Sequence, residues 1–227
     1  MSTRNSRNLA NRRCHWPPSE AAVEPVCHDG CVSGFDDLQQ ILGYCGAEPD
    51  DDSDELRRVG DELYVTSFWS PEFCATIVRA AEAVGAFEPQ PDDPVPGHEV
   101  SLAVISPGLF EAVQHDLGVR IWPRLRQTWP YIDYYGLRDA FVIKYALGQQ
   151  ESLRIHHDVA QVSASVKLND GYEGGVLEFP RQGYDNSEQR VGELLAWPSL
   201  VTHPHQTGQL RSGVKYALTV WFELPAV

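Results

Sequence analysis

Two short segments, His156-His157-Asp158 and Thr202-His203-Pro204-His205, hold the side chains best suited to gripping a metal ion. On an extended strand residues i and i+2 project from one face, so His156 and Asp158 can chelate one ion while His157 points away. With 8 histidines and 32 acidic residues in 227 positions, this spacing is expected about once by chance, and it occurs once. The pair alone decides nothing. A third ligand from the second segment, His203 or His205, would complete a set of two imidazoles and one carboxylate. With its remaining positions open, that set suits Fe(II), which must also admit a co-substrate and O2. The same three ligands plus water also describe a hydrolytic zinc site.

A fourth residue extends the pattern. Lys215 opens the run Val214-Lys215-Tyr216-Ala217-Leu218-Thr219-Val220-Trp221-Phe222. Read as a strand, the run puts Lys215 on one face with Ala217, Thr219 and Trp221. The opposite face holds Val214, Tyr216, Leu218, Val220 and Phe222. Both faces are largely apolar, so the ammonium enters an enclosed space and needs an anion there. A dicarboxylate co-substrate would provide one. On an edge strand the same residue would be an ordinary solvated lysine.

The elements that must position these groups follow from periodicity. Leu63–Phe68 reads as a strand. Ser70-Pro71 supplies a helix N-cap and a first-turn proline, and Phe73, Cys74, Ile77, Val78, Ala81 and Val84 continue at helical spacing to a stop at Gly85. A second helix starts after Ser106-Pro107, with Phe110, Val113, Leu117, Ile121 and Leu125 on one face and a kink expected at Pro123. The spacing then predicts short strands at Ala140–Tyr145, Leu153–Asp158, Gln161–Leu168, Gly175–Phe179, Glu193–Trp197, Leu200–His205 and Val214–Phe222. Two helices followed by many short strands give a mainly β domain with flanking helices, a sandwich or barrel. The domain is expected over residues 61–227. Residues 1–60 read as an extension of uncertain order, with a short helix at Phe35–Leu42 and an acidic linker at 48–55.

Composition narrows the partners. The net charge is −14, which disfavours nucleic acid and lipid headgroups, since both need clustered Lys and Arg. No apolar run is long enough to span a bilayer, and Arg4, Arg7, Arg12 and Arg13 precede no apolar stretch of a secretory signal, so a cytoplasmic protein is expected. Cys14, Cys27, Cys31, Cys45 and Cys74 are then reduced thiols, with a zinc site among the first four, His15 and His28 as the alternative.

Several segments together resemble the Fe(II)/2-oxoglutarate-dependent dioxygenases, within them the prolyl and procollagen-lysine hydroxylase branch. They are Phe141–Tyr145, Leu153–Asp158, Tyr172-Glu173-Gly174-Gly175-Val176-Leu177-Glu178-Phe179-Pro180, Gly192–Pro198, Thr202–His205 and Gly213–Tyr216, with Phe68–Cys74 similar to the family's first helix. The resemblance implies a double-stranded β-helix (jelly-roll, cupin-like). It implies His156, Asp158 and His205 as Fe(II) ligands, the choice of His205 resting on the family's ten-residue offset to the basic residue. Lys215 would pair with the distal carboxylate of 2-oxoglutarate and Tyr145 would hydrogen-bond it, with O2 as second co-substrate. His157 and His203 would either orient the ligands from behind or sit on the outer face, the second being the favoured reading. Lys215 follows the prolyl branch, because the lysyl branch typically has Arg; Trp197 stands where the lysyl branch commonly has His. The nucleic-acid-repair dioxygenases share the triad but need a cationic surface.

The implied reaction is hydroxylation of an unactivated C–H bond of an amino-acid side chain, free or in a short, biosynthetic peptide. Desaturation or cyclisation by the same hydrogen-abstracting chemistry is one alternative, and a non-catalytic metal- or dicarboxylate-binding sensor is another. Arg154, Arg138, Arg181 and Lys144 are candidate contacts for a substrate carboxylate. Loops 182–189 and 89–96 are candidate lids. The sequence leaves the oligomeric state open.

Overall fold

In the computed structural model the described residues are 55–89, 94–132 and 135–224. Phe35–Leu42 and the first four cysteines lie outside them. Among the described residues a larger sheet of seven strands faces a smaller one of four. In chain order the strands are β1 (Arg57–Gly60), β2 (Leu63–Ser67), β3 (Glu99–Ser101), β4 (Leu137–Ala146), β5 (Leu153–His156), β6 (Val162–Lys167), β7 (Glu173–Gly174), β8 (Leu177–Phe179), β9 (Tyr184–Asp185), β10 (Glu193–Pro198), β11 (His205–Thr207), β12 (Leu210–Ser212) and β13 (Val214–Phe222). The larger sheet runs β1-β2-β10-β6-β13-β4-β3, the smaller β5-β11-β8-β9, and β12 pairs with β7. Strand β1 begins inside the stretch read from sequence as an extension.

Alternation along the central strands assigns the two faces of the large sheet. On β4, Ala140 and Val142 point outward into a core built with the helices. Phe141, Ile143 and Tyr145 point inward, clustering with Ala217 of β13. Tyr216, Leu218, Val220 and Phe222 of β13 join the outer core. The inward row is Lys215, Ala217, Thr219 and Trp221, in register with Tyr145, Ile143, Phe141 and Asp139. Period-2 patterning thus separates a closed outer layer from an inner wall.

Helix α1 (Pro71–Val84) covers the outer face with Phe73, Cys74, Ile77 and Ala81. Ser70 Oγ accepts the Phe73 N–H at 3.2 Å, and Gly85 closes the helix at φ +67°, as its sequence signals predict. A short helix α2 (Leu102–Ile105), unmarked in the hydrophobic pattern, precedes α3 (Pro107–Asp116). The expected kink takes the form of a π-helical turn at Leu117–Ile121, followed by α4 (Trp122–Thr128). Pro123, on the first turn of α4, has no N–H to give the carbonyl four residues back, so the ladder widens just before it.

Two expectations fail locally. Leu200–His205 is a turn up to residue 204, and strand pairing starts only at His205. Segment 182–189 is not a lid: Tyr184–Asp185 pairs with β8, and Asn186 and Gln189 are buried and hydrogen-bonded to each other at 2.9 Å. Gln189 also donates to the Ser165 and Glu193 carbonyls, which pins the loop to the sheet.

Candidate metal centre

Two of the three candidate metal ligands, His156 and His205, lie on the smaller sheet. His205 on β11 lies directly across from His156 on β5, so an antiparallel register brings two imidazoles together from 49 positions apart in the chain. Their ring centroids are 4.4 Å apart. Asp158 arrives differently from the i, i+2 argument: β5 ends at His156, and the chain turns so that Asp158 Oδ1 lies 3.5 Å from His156 Nε2 and Oδ2 lies 3.5 Å from His205 Nε2. One ligand atom from each residue lies within 4.8 Å of the others.

The orientation of both rings is fixed by backbone. His156 Nδ1 lies 2.8 Å from the Arg154 carbonyl and His205 Nδ1 lies 3.0 Å from the His203 carbonyl. A carbonyl only accepts, so each Nδ1 carries the proton and each Nε2 presents a lone pair. Asp158 is 5 % exposed, and its Oδ2 accepts no hydrogen bond among the described residues. Burial works to raise the Asp158 pKa, but the two histidines hold it below the usual carboxylate range. Burial pushes the His205 pKa down despite Asp158; at His156 burial acts the same way, but Asp158 and the Arg154 carbonyl outweigh it and the net shift is upward. Two lone pairs and a buried carboxylate oxygen without a donor fit a divalent cation, which would satisfy all three at once.

The triad opens into a cavity of about 560 Å³ between the sheets. Lys215 lies in its wall, 3 % exposed, with Nζ donating to the Gly175 carbonyl at 2.6 Å and standing 5.0 Å from the centre of the Tyr145 ring. Gly175 (φ +60°) and Gly174 (φ +74°) carry this turn, and a Cβ on Gly174 would come within 2.2 Å of the Gln209 carbonyl oxygen. Burial, with Lys167 nearby, lowers the Lys215 pKa to about 7. A neutral carbonyl and a ring face do not balance a buried ammonium, so the position suits an anion. Tyr145 OH pairs with Thr207 Oγ1 at 3.0 Å, and burial raises its pKa. Thr207 also lines the cavity, and the sequence reading missed it, although His205 and Thr207 share a strand face as i and i+2.

Other residues fall as follows. His203 does not face outward. It is buried, its Nε2 lies 3.0 Å from the Asp61 carbonyl and its Nδ1 2.9 Å from Thr202 Oγ1, so it ties the β11 approach to the β1–β2 turn. His157 is exposed at the cavity mouth. Trp197 packs edge-on against His205, ring centroids 5.0 Å apart. Of the candidate substrate arginines, only Arg138 reaches the cavity wall. Arg154 donates to the Pro94 carbonyl and Arg181 to the Val201 carbonyl, both outside that wall. Lys144 points to the outer face, bound to Glu82 at 2.7 Å. Pro94 and Val95 of the Pro-rich loop line the cavity.

Residues 140–223 match the family model described as the 2OG-Fe(II) oxygenase superfamily. The chain is 28 % identical over 187 residues to the 2-oxoglutarate and iron-dependent oxygenase domain-containing protein 2 of Mus musculus, a match covering 76 % of this chain and 52 % of that one. It is 32 % identical over 79 residues to procollagen-lysine,2-oxoglutarate 5-dioxygenase 2 of Homo sapiens, covering 34 % of this chain and 11 % of that one. The chain thus spans about half the length of the first relative and a small part of the second. In fold it is similar to a viral collagen prolyl hydroxylase from Paramecium Bursaria Chlorella virus-1, solved with 2OG: TM-score 0.57, 19 % identity, covering 73 % of this chain and 97 % of that one. Members of the matched family use Fe(II), 2-oxoglutarate and O2, which agrees with a triad of this composition beside a buried lysine. Over residues 140–223 the chain is similar to the 2OG-Fe(II) oxygenase superfamily, whose model it matches there.

Proposed function

We propose that the protein is a 2-oxoglutarate-dependent non-haem iron dioxygenase that hydroxylates an unactivated C–H bond of an amino-acid side chain, free or in a short peptide. The observation that carries this reading is the joint placement, around one cavity, of a carboxylate oxygen without a donor, two imidazole lone pairs and a buried ammonium without a carboxylate. When bound, Fe(II) with 2-oxoglutarate and O2 supplies the oxidation: one oxygen atom enters the substrate C–H bond and the other leaves in succinate, with release of CO2.

The chain's own residues bind, orient and shield. His156 Nε2, Asp158 and His205 Nε2 are the metal ligands, and the backbone carbonyls on both Nδ1 atoms keep the rings from turning. Lys215, protonated, holds the distal carboxylate, and the paired hydroxyls of Tyr145 and Thr207 donate to the same group. Trp197, Leu177 and Phe141 form dry wall around the reacting end, where water would compete with substrate.

The test is succinate formation by the full chain given Fe(II), 2-oxoglutarate and O2, against a panel of free amino acids and short peptides read by mass spectrometry. Substrate-stimulated succinate and a gain of one oxygen atom support the reading. Loss of two hydrogens would replace hydroxylation by desaturation or cyclisation. Turnover equal in wild type, His156→Ala and Asp158→Ala would contradict it.

A further inference from the structure

Opposite Lys215, the cavity ends on two adjacent residues of β4 that carry opposite charge. We propose, on the oxygenase reading above, that this end holds the α-carboxylate and α-ammonium of a free amino acid, the first on Arg138 and the second on Asp139. Consecutive residues of a regular strand point to opposite faces, so both reach one cavity only through a break in the alternation. The break lies in the register with β13. Trp221 is across from Asp139 and Phe222 across from Leu137, which leaves Arg138 as an extra residue. On either side of the pair, Leu137 and Ala140 belong to the outer core. Arg138 and Asp139 themselves both line the cavity. A β-bulge re-aims a side chain in this way, and here it sets a cation beside an anion.

Adjacent opposite charges would ordinarily close on each other, but these are tethered apart. Asp139 accepts the Ser101 hydroxyl at 2.9 Å and the Ala140 N–H at 2.7 Å, both on Oδ1, and its Oδ2 takes no hydrogen bond among the described residues. Arg138 Nη1 donates to the Val159 carbonyl at 2.7 Å, and the guanidinium stands 5.4 Å from the centre of the Trp221 ring. A carbonyl and a ring leave that charge unneutralised, with N–H donors to spare. Among the described residues neither side chain pairs with the other or with a third ion, whereas Glu99, on the same wall, has its own partner in the fold. The charges of Arg138 and Asp139 sum to zero, so the ligand that fits them is neutral overall and carries both signs close together. An α-amino acid has that chemistry: its planar carboxylate matches the guanidinium fork, and its ammonium matches the open carboxylate oxygen. A residue inside a peptide has neither charge on its backbone. Asp139 lies six residues before Tyr145, about 20 Å along the strand at the usual rise, so the pair is remote from the end assigned to 2-oxoglutarate. Between the two ends Phe141, Ala217 and Trp221 line the wall, so the side chain presented to the metal is apolar.

Calorimetric binding to the full chain loaded with Mn(II) and 2-oxoglutarate tests this. The probes are L-leucine, L-norleucine and L-phenylalanine, each as the free amino acid, the Nα-acetyl acid, the free-amine carboxamide and the Nα-acetyl amide. At least one free amino acid should bind about tenfold or more tightly than either of its singly blocked forms, and the doubly blocked form should bind more weakly still. Arg138→Met should erase the preference for a free carboxylate and keep that for a free amine, and Asp139→Asn should do the reverse. Equal or tighter binding of the blocked compounds, no binding of any probe, or both preferences intact in the folded variants overturns the proposal. Where a variant fails to fold, the wild-type comparison decides. Succinate formation without a preference for free amino acids removes this inference alone, and that preference without succinate formation removes the enzymatic reading alone.

Discussion

The two faces of the seven-stranded sheet treat charged groups in opposite ways. On the outer face the charged side chains are paired within the fold, while Trp129 Nε1 and Thr66 Oγ1 are buried there with no partner among the described residues. Arg120 Nη1 bonds Asp116 Oδ2 at 2.9 Å inside the helical layer, and Glu82 takes both Lys144 at 2.7 Å and the Tyr216 hydroxyl at 2.5 Å. On the inner face, among the described residues, Asp158 Oδ2 accepts no hydrogen bond and Lys215 has only a carbonyl and a ring. A fold that pairs its ions on one face and leaves them open on the other has spent stability where a ligand is meant to enter. The same strands serve both faces, since neighbouring residues of β4 and β13 point to opposite sides.

This contrast is strongest at the triad. Asp158→Ala or His205→Ala should cut 2-oxoglutarate turnover more than about 100-fold, and thermal unfolding of the metal-free protein should hold steady or improve, because an uncompensated buried group is removed. A large fall in metal-free stability would mean that Asp158 is a structural group like Asp116.

Lys215→Met comes next. Removing one partner of a buried charge pair costs about 2–5 kcal/mol, so the KM for 2-oxoglutarate should rise roughly 30-fold or more in steady-state kinetics while the metal-free fold is retained. The pH dependence has a definite sign. With its folded pKa lowered to about 7, Lys215 is neutral in the ligand-free fold above that pH, whereas the unfolded chain keeps the proton up to its ordinary value near 10.5. The unfolded state binds more protons across that window, so this residue's share of stability rises from pH 7 towards 10.5. Affinity for 2-oxoglutarate moves the other way and weakens as pH climbs above about 7, because binding must then take up a proton. Both slopes should disappear in Lys215→Met, measured by denaturation and by calorimetry.

The outer face should respond only in stability. Leu125→Ala, at a fully buried position, should cost about 2–5 kcal/mol in denaturant unfolding and leave the affinity for Mn(II) unchanged. Smaller still, Glu82→Gln should cost under about 1 kcal/mol, since the Glu82 side chain is 40 % exposed. A loss of metal affinity in either variant would break the separation between the faces.

Much of this was legible in the residues. Strong alternation gave β13 its full span and its burial of Lys215, and Ser70, Pro71 and Gly85 marked both ends of α1, because caps and periods are local. The choice of His205 over His203 came from the family offset; in the structure His205 lies across the strand pair from His156. Hidden were features set by long-range contact. Thr207 meets Tyr145 from 62 positions away, His203 is buried by Asp61 from 142 positions away, and Arg154 and Arg181 are drawn off by carbonyls of distant loops. Asp139 was passed over because on its own it is one of 32 acidic residues, and only the register with Trp221 sets it in the cavity.

The central claim is that one divalent ion joins His156, Asp158 and His205. Calorimetric titration of Mn(II) into the metal-free full chain and into Asp158→Ala tests it most directly. The wild type should bind a single ion, and at about 100 times the dissociation constant should gain about 2.7 kcal/mol of stability, with both effects absent in Asp158→Ala. Equal stoichiometry and affinity in the two proteins would contradict the account.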